Sequence, residues 1–275
     1  MNIKLVAIDM DGTFLDSNCR VPKRNLEAIQ KAMAKGVIIV PATGRCYRNT
    51  KKAAFEGVEG ISYYITANGA VVVDAAKEEV IFEKAIPAKA AKEVYEIAKR
   101  YPAFIEIYTG LDVYVDEKGI NHLFSGQVMK SYCEQIIETA TRVKDLSAIV
   151  GDSNILVSKY HILSQNVEEN VKLRDEIAAI EGLNPISVIP QNIELVEGVW
   201  SKKDGLQKVM EICGVSKDEV LVIGDSNNDY DAMEWATHAV AMGNATDRVK
   251  AVASDITGTN DEAGVAQTLE KYLGL

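Results

Sequence analysis

Several short apolar runs in this chain stop abruptly at small, amide or acidic residues, and that repeated pattern restricts the folds open to it. Ile3–Ile8 is interrupted only by Lys4 and leads into Asp9-Met10-Asp11-Gly12-Thr13. Val37–Val40 leads into Pro41-Ala42-Thr43-Gly44-Arg45, and Tyr63–Thr66 into Ala67-Asn68-Gly69. Later, Val220–Ile223 runs into Gly224-Asp225-Ser226-Asn227-Asn228-Asp229, and Ala239–Met242 into Gly243-Asn244. Apolar runs of strand length suit strands buried on both faces, as in a parallel sheet. Helical patterns separate them, such as the one opened by Pro22, with Leu26, Ile29 and Met33 on one face and Gly36 past its end. In an open parallel sheet the carboxyl ends of the strands share one edge, and ligands bind there.

Asp9 and Asp11 would point to opposite faces of a continuing strand, but Gly12 lets the chain turn so that both converge on the strand's end. Taken alone, this stretch fits a solvated acidic turn as well as a site. The other strand ends weigh against the turn. Their acids, Asp9, Asp11, Asp225 and Asp229, form a hard oxygen-rich set suited to Mg²⁺, which takes one or two carboxylates with substrate phosphate and water. Thr43, Lys202 and backbone N–H groups at helix starts can hold phosphate oxygens.

The pattern is broken once. From about residue 84 to 190 the strands shorten and alternate, as in Phe104–Tyr108 and Val113–Val115, and Pro87 and Pro190 stand at the edges. The expectation is an α/β chain: a Rossmann-like parallel sheet core with helices on both faces, residues 1–83 and 191–275, and an inserted α+β cap, residues 84–190. At 275 residues there is room for both. The formal net charge of −10 argues against nucleic acid or an anionic membrane as partner. Asp9 and Asp11 interrupt the first apolar run too early for a secretory signal, and no run approaches the ~20 apolar residues of a membrane-spanning helix. Cys19, Cys46, Cys133 and Cys213 lack metal-site spacing, which suits free thiols in a reducing cytoplasm. The oligomeric state is left open.

The motifs Asp9-Met-Asp11-Gly-Thr, Thr43-Gly44-Arg45, Ser201-Lys202 and Gly224-Asp225-Ser-Asn-Asn228-Asp229 resemble those of the haloacid dehalogenase superfamily of phosphohydrolases, in its Cof-type branch with a large inserted cap. The resemblance spans Ile3 to about Val265 and includes Asn68-Gly69, Gly243-Asn244 and Asp261–Val265. It implies a Mg²⁺-dependent phosphatase of small phosphorylated metabolites, with sugar phosphates foremost and substrate choice in the cap. Asp9 would be the nucleophile that becomes an aspartyl-phosphate, and Asp11 the general acid and base. The ion would be held by the Asp9 carboxylate, the Asp11 carbonyl and the Asp225 carboxylate, with Asp229 and Asn244 behind them. Thr43, Gly44, Lys202 and Asn228 would bind or orient around the phosphoryl group. Lys202 is preferred to adjacent Lys203 because Leu206 then fills the buried position four residues on. A phosphomutase shares the same covalent intermediate. A non-catalytic phosphometabolite-binding protein is the remaining alternative, disfavoured because both Asp9 and Asp11 are present. Arg45 is open between a phosphate contact, a cap contact and an ordinary surface contact.

Overall fold

A computed structural model describes residues 2–125, 130–187 and 189–275. The chain divides into two compact units, one running to Phe82 and resuming at Ser201–Leu275, the other Glu83–Trp200.

The strands in chain order are β1 (Leu5–Ile8), β2 (Ile38–Pro41), β3 (Tyr63–Thr66), β4 (Val71–Asp74), β5 (Glu79–Glu83), β6 (Ala103–Thr109), β7 (Asp112–Asp116), β8 (Thr141–Val143), β9 (Lys159–Ser164), β10 (Asn192–Leu195), β11 (Val220–Gly224), β12 (His238–Ala241) and β13 (Asp255–Ile256). In the first unit they make a parallel sheet in the order β13-β12-β11-β1-β2. Every residue of β1 and β11 is buried, because helices cover both faces, and the unalternating apolar runs reflect this. A single parallel bridge, Ala42 to Ile65, continues the edge from β2 towards β3. From there β3 folds back antiparallel on β4 through the Ala67–Gly69 turn, the hairpin that Asn68-Gly69 announces. The helix opened by Pro22 spans Lys23–Ala34 and packs along Gly264–Leu273.

In the second unit the order is β10-β9-β6-β7-β8, antiparallel except for β7 with β8. One face buries Ile105, Ile107, Tyr160, Ile162, Ile193 and Leu195. Tyr160 is a core residue, its hydroxyl donating to the Ala91 carbonyl at 2.6 Å. On the opposite face Phe104, Val115 and Leu163 meet Leu123, Cys133 and Ile136.

One boundary differs from the sequence expectation. A return to the core at residue 191 would place β10 in the first unit, but β10 pairs antiparallel with β9, Ile193 opposite Ile162. Its two-residue alternation puts Ile193 and Leu195 into the second unit's core, so that unit extends to Trp200. Pro190 precedes a strand rather than ending the insert.

Candidate active site

The site is assembled where the parallel strands of the first unit end. The Asp9 N–H donates to the Ile223 carbonyl at 3.0 Å, carrying the pairing of β1 with β11 one residue past the strand. The chain then closes on itself, with Leu15 N–H donating to the Met10 carbonyl at 2.9 Å. Gly12 adopts φ +81°, and a Cβ there would lie 2.6 Å from Asp225 Oδ2. Both facts require glycine, because the turn needs the left-handed region and the Asp225 carboxylate occupies the side-chain space. Two side chains fasten this turn. Thr13 Oγ1 donates to Asp225 Oδ1 at 2.9 Å, and Asn244 Nδ2 donates to the Gly12 carbonyl at 2.8 Å. Gly12→Ala is therefore expected to lose about 1–3 kcal/mol of stability through backbone strain and overpacking, measured by urea unfolding.

Lys202 is the first residue of the helix Lys202–Cys213, where the Ser201 N–H donates to Asp204 Oδ2 at 2.8 Å in a capping box. Gly69, at φ +94°, lets the Ala67–Gly69 turn approach this helix start; a Cβ there would sit 2.1 Å from the Ser201 carbonyl oxygen. The Lys202 side chain is 2% exposed and donates to Asp9 Oδ1 at 2.5 Å and to Asp229 Oδ1 at 2.8 Å. Lys203 is half-buried, and it is Lys202 that enters the acidic cluster.

Among the described residues, Asp9, Asp225 and Asp229 form a metal-competent acidic group, each with a carboxylate oxygen within 4.8 Å of the others. Asp229 is already engaged: Oδ1 takes Lys202, and Oδ2 takes the N–H groups of Asp225 and Ser226 at 3.1 and 3.0 Å. It stiffens the loop after β11 and holds the lysine. Asp9 Oδ2, by contrast, is buried with no hydrogen-bond partner. Burial, then the Asp229 carboxylate, pushes the Asp9 carboxyl well above the usual range against the pull of Lys202. Burial and Asp229 likewise push Asp225 up to about 7. For Lys202 burial alone would lower the pKa, but Asp229 and Asp9 outweigh it and hold the ammonium above its ordinary value. One ammonium cannot neutralise three carboxylates. Three carboxylates and one ammonium leave the cluster a net charge of −2 when fully ionised, and one divalent cation brings it to zero. An unpartnered buried oxygen and this excess charge both fit a hard divalent ion held by Asp9 and Asp225.

The other predicted residues surround the same edge. Thr43 is buried, its N–H donating to the Ile65 carbonyl at 2.9 Å and its Oγ1 accepting from the Arg45 N–H at 3.1 Å. Gly44 lies between them, half-buried. The Ala67 and Asn68 N–H groups donate to the Arg45 and Thr43 carbonyls, each at 3.0 Å, stitching the two strand-end turns together. Asn228 Nδ2 reaches Asn68 Oδ1 at 3.3 Å, while its own Oδ1 accepts from Ser226 Oγ at 2.7 Å. The Asp11 carboxylate lies outside the acidic group and is gripped by Arg45. Thr13, Arg45 and Asn49 carry contacts that sequence patterns had not assigned. Thr13 had a signal, its place in the Asp-x-Asp-Gly-Thr motif, whereas Asn49 had none.

With this geometry in place, the comparisons are consistent with one another. A family model described as haloacid dehalogenase-like hydrolase matches residues 6–269. Phosphatase YwpJ of Bacillus subtilis is 27% identical over 98% of this chain and 100% of its own. The 5-amino-6-(5-phospho-D-ribitylamino)uracil phosphatase YcsE of the same organism is 28% identical over 99% of this chain and 97% of its own. A haloacid dehalogenase-like hydrolase structure from B. subtilis aligns with a TM-score of 0.84 at 27% identity, covering 98% of this chain and 100% of that one.

Proposed function

The chain belongs to the haloacid dehalogenase-like hydrolase family, in its Cof-type branch, and is a phosphatase; from that premise we propose that it hydrolyses small phosphorylated metabolites, sugar phosphates foremost, through an aspartyl-phosphate at Asp9. The observation that carries the reading is the Asp9 carboxylate, held by buried Lys202 on one oxygen and unpartnered on the other. In this reading Asp9 attacks phosphorus, the ester P–O bond breaks, and the departing oxygen takes a proton from Asp11. Water then attacks the aspartyl-phosphate and gives its proton to Asp11, releasing inorganic phosphate and regenerating Asp9. Asp9 and Asp225 would hold Mg²⁺, with the Asp11 carbonyl completing the protein ligands. The ion would supply charge neutralisation for a dianionic phosphate entering an acidic site. Lys202, Thr43 and the turns around Gly44 and Asn68, oriented by Asn228, would stabilise the charge that develops on the phosphoryl oxygens. Asn244, through the Gly12 carbonyl, keeps the nucleophile's turn in place.

YcsE is named for a phosphorylated ribityl compound, which supports a polyol or sugar as the leaving group. The second unit is the inserted cap of this branch, and the choice among leaving groups is assigned to it.

The test is phosphate release from p-nitrophenyl phosphate and from a panel of phosphorylated metabolites. EDTA is expected to silence turnover, and added Mg²⁺ to restore it. Persistent activity after exhaustive chelation would overturn the metal assignment. Isomerisation of a hexose phosphate with no phosphate released would overturn hydrolysis.

A further inference from the structure

The geometry points to Arg45 as the residue that positions Asp11, with Asn49 as its brace, so that a buried guanidinium orients a half-exposed carboxylate. The Asp11 side chain is 47% exposed and that of Arg45 only 5%. Arg45 Nε donates to Asp11 Oδ2 at 2.7 Å and Nη2 donates to Oδ1 at 2.5 Å. This is the planar two-bond fork that fixes a carboxylate in direction as well as in distance, which a lysine cannot do. An aspartate this exposed would otherwise move among its rotamers, and only some would aim its oxygens at a reacting group.

The arm that does the holding is itself held. Arg45 Nη1 donates to Oδ1 of buried Asn49 at 2.8 Å, which ties the guanidinium to the helix Tyr47–Thr50. Its backbone N–H donates to Thr43 Oγ1 at 3.1 Å, and its carbonyl accepts from Ala67 at 3.0 Å. Arg45 is thus locked at both ends: its backbone to the turns that carry Thr43 and Asn68, and its guanidinium to Asn49.

Stability does not account for this arrangement. Burying a guanidinium is unfavourable unless its donors are met, and a pair with one partner this exposed adds only about 0–1 kcal/mol. What the pair does deliver is a defined direction for Asp11. Each Asp11 oxygen accepts one Arg45 N–H and keeps a second lone pair, so the carboxyl can meet a leaving oxygen or a water and give or take a proton there. The fork meanwhile keeps it from swinging into solvent. Arg45 touches no reacting atom in this scheme and acts through Asp11.

The inference rests on the acid–base role proposed for Asp11, and the experiment separates the two. Steady-state kinetics with p-nitrophenyl phosphate and with an alkyl sugar phosphate would compare Arg45→Met, Arg45→Lys, Asn49→Ala, Asp11→Asn and the Arg45→Met/Asp11→Asn double variant. Arg45→Met is expected to lower kcat by about 10- to 100-fold, with KM within about threefold of wild type, as for a loss of acid–base positioning. The loss should be larger on the alkyl ester, whose leaving oxygen needs protonation, than on p-nitrophenyl phosphate. Arg45→Lys should recover little of it, because the fork is lost. The double variant should be no slower than Asp11→Asn alone, since residues acting as a unit are not additive. Asn49→Ala should shift kcat in the same direction by a smaller factor, and it carries the test should Arg45→Met fail to fold. A raised KM at unchanged kcat, or losses that add in the double variant, would overturn the inference in favour of a direct hold on the substrate anion. Wild-type rates in Arg45→Met beside a crippled Asp11→Asn would overturn it too. An Asp11→Asn enzyme at full rate would instead remove the acid–base reading itself.

Discussion

Asp9→Asn is expected to reduce phosphate release by about 10⁴-fold or more, the scale of losing the nucleophile from a unit that acts together. The amide keeps the shape of the carboxyl and offers Lys202 a carbonyl oxygen, so the defect should not come from unfolding. The opposite is expected for the metal-free protein. Burial and the Asp229 and Asp225 carboxylates already disfavour the ionised form of Asp9, so removing that charge relieves repulsion within the cluster. Thermal unfolding without Mg²⁺ should show a midpoint no lower than wild type, while the gain in midpoint on adding Mg²⁺ should shrink, because one of the two carboxylates proposed to hold it is gone. A folded Asp9→Asn variant that still turns over would remove the covalent mechanism.

Lys202→Met carries the second large effect, on stability and activity together. The substitution preserves most of the side-chain volume but leaves Asp9, Asp225 and Asp229 packed together with no cation between them. Removing one partner of a buried ion pair costs about 3–5 kcal/mol because the remaining charges stay desolvated. Chemical denaturation without divalent ions should show a loss of that order, and Mg²⁺ should recover part of it through the same carboxylates. Turnover should still fall by about 10²–10³-fold with Mg²⁺ present, since in the proposed mechanism the ammonium stabilises charge developing on the phosphoryl oxygens. Lys203→Met is the internal control, expected to change stability by no more than about 0.5 kcal/mol, as for surface positions away from such features. A Lys202→Met protein as stable and active as wild type would mean that the ion triad is dispensable.

These two positions also show why part of the site can be read from sequence and part cannot. Lys202 is legible because local rules place it. A serine cap with an acid three residues on starts the helix at Lys202, and the family resemblance, which sets its lysine four residues before a buried apolar residue, picks Lys202 over Lys203 through Leu206. Asp9 and Asp225 are legible for a related reason, since each follows a fully buried strand and parallel pairing brings both strand ends to one edge. Arg45 stands four residues past the end of β2, and its role does not show. Its direction depends on Asn49 one helical turn on, but also on the turn at Ala67–Asn68 and on where Asp11 leaves its own turn, 34 residues earlier in the chain. The insert's end is hidden in the same way. Pro190 marks a local break, but β10 belongs to the unit that supplies its hydrogen-bonding neighbour, and β9 supplies it.

Periodicity and turn chemistry along the chain were therefore enough for the element types, the parallel core, the inserted second unit, and the strand ends that gather acids and a lysine. Those features depend on spacings of a few residues, where backbone geometry leaves little freedom. Tertiary structure alone decided that Asp229 is taken up by Lys202 and two backbone N–H groups while Asp9 keeps an unpartnered oxygen, and that Asp11 turns to Arg45. Such choices depend on which oxygen is buried beside which donor across long separations, such as the 193 residues between Asp9 and Lys202. Desolvation makes each of them consequential, because a buried charge must be met by a partner, by an ion, or by a proton.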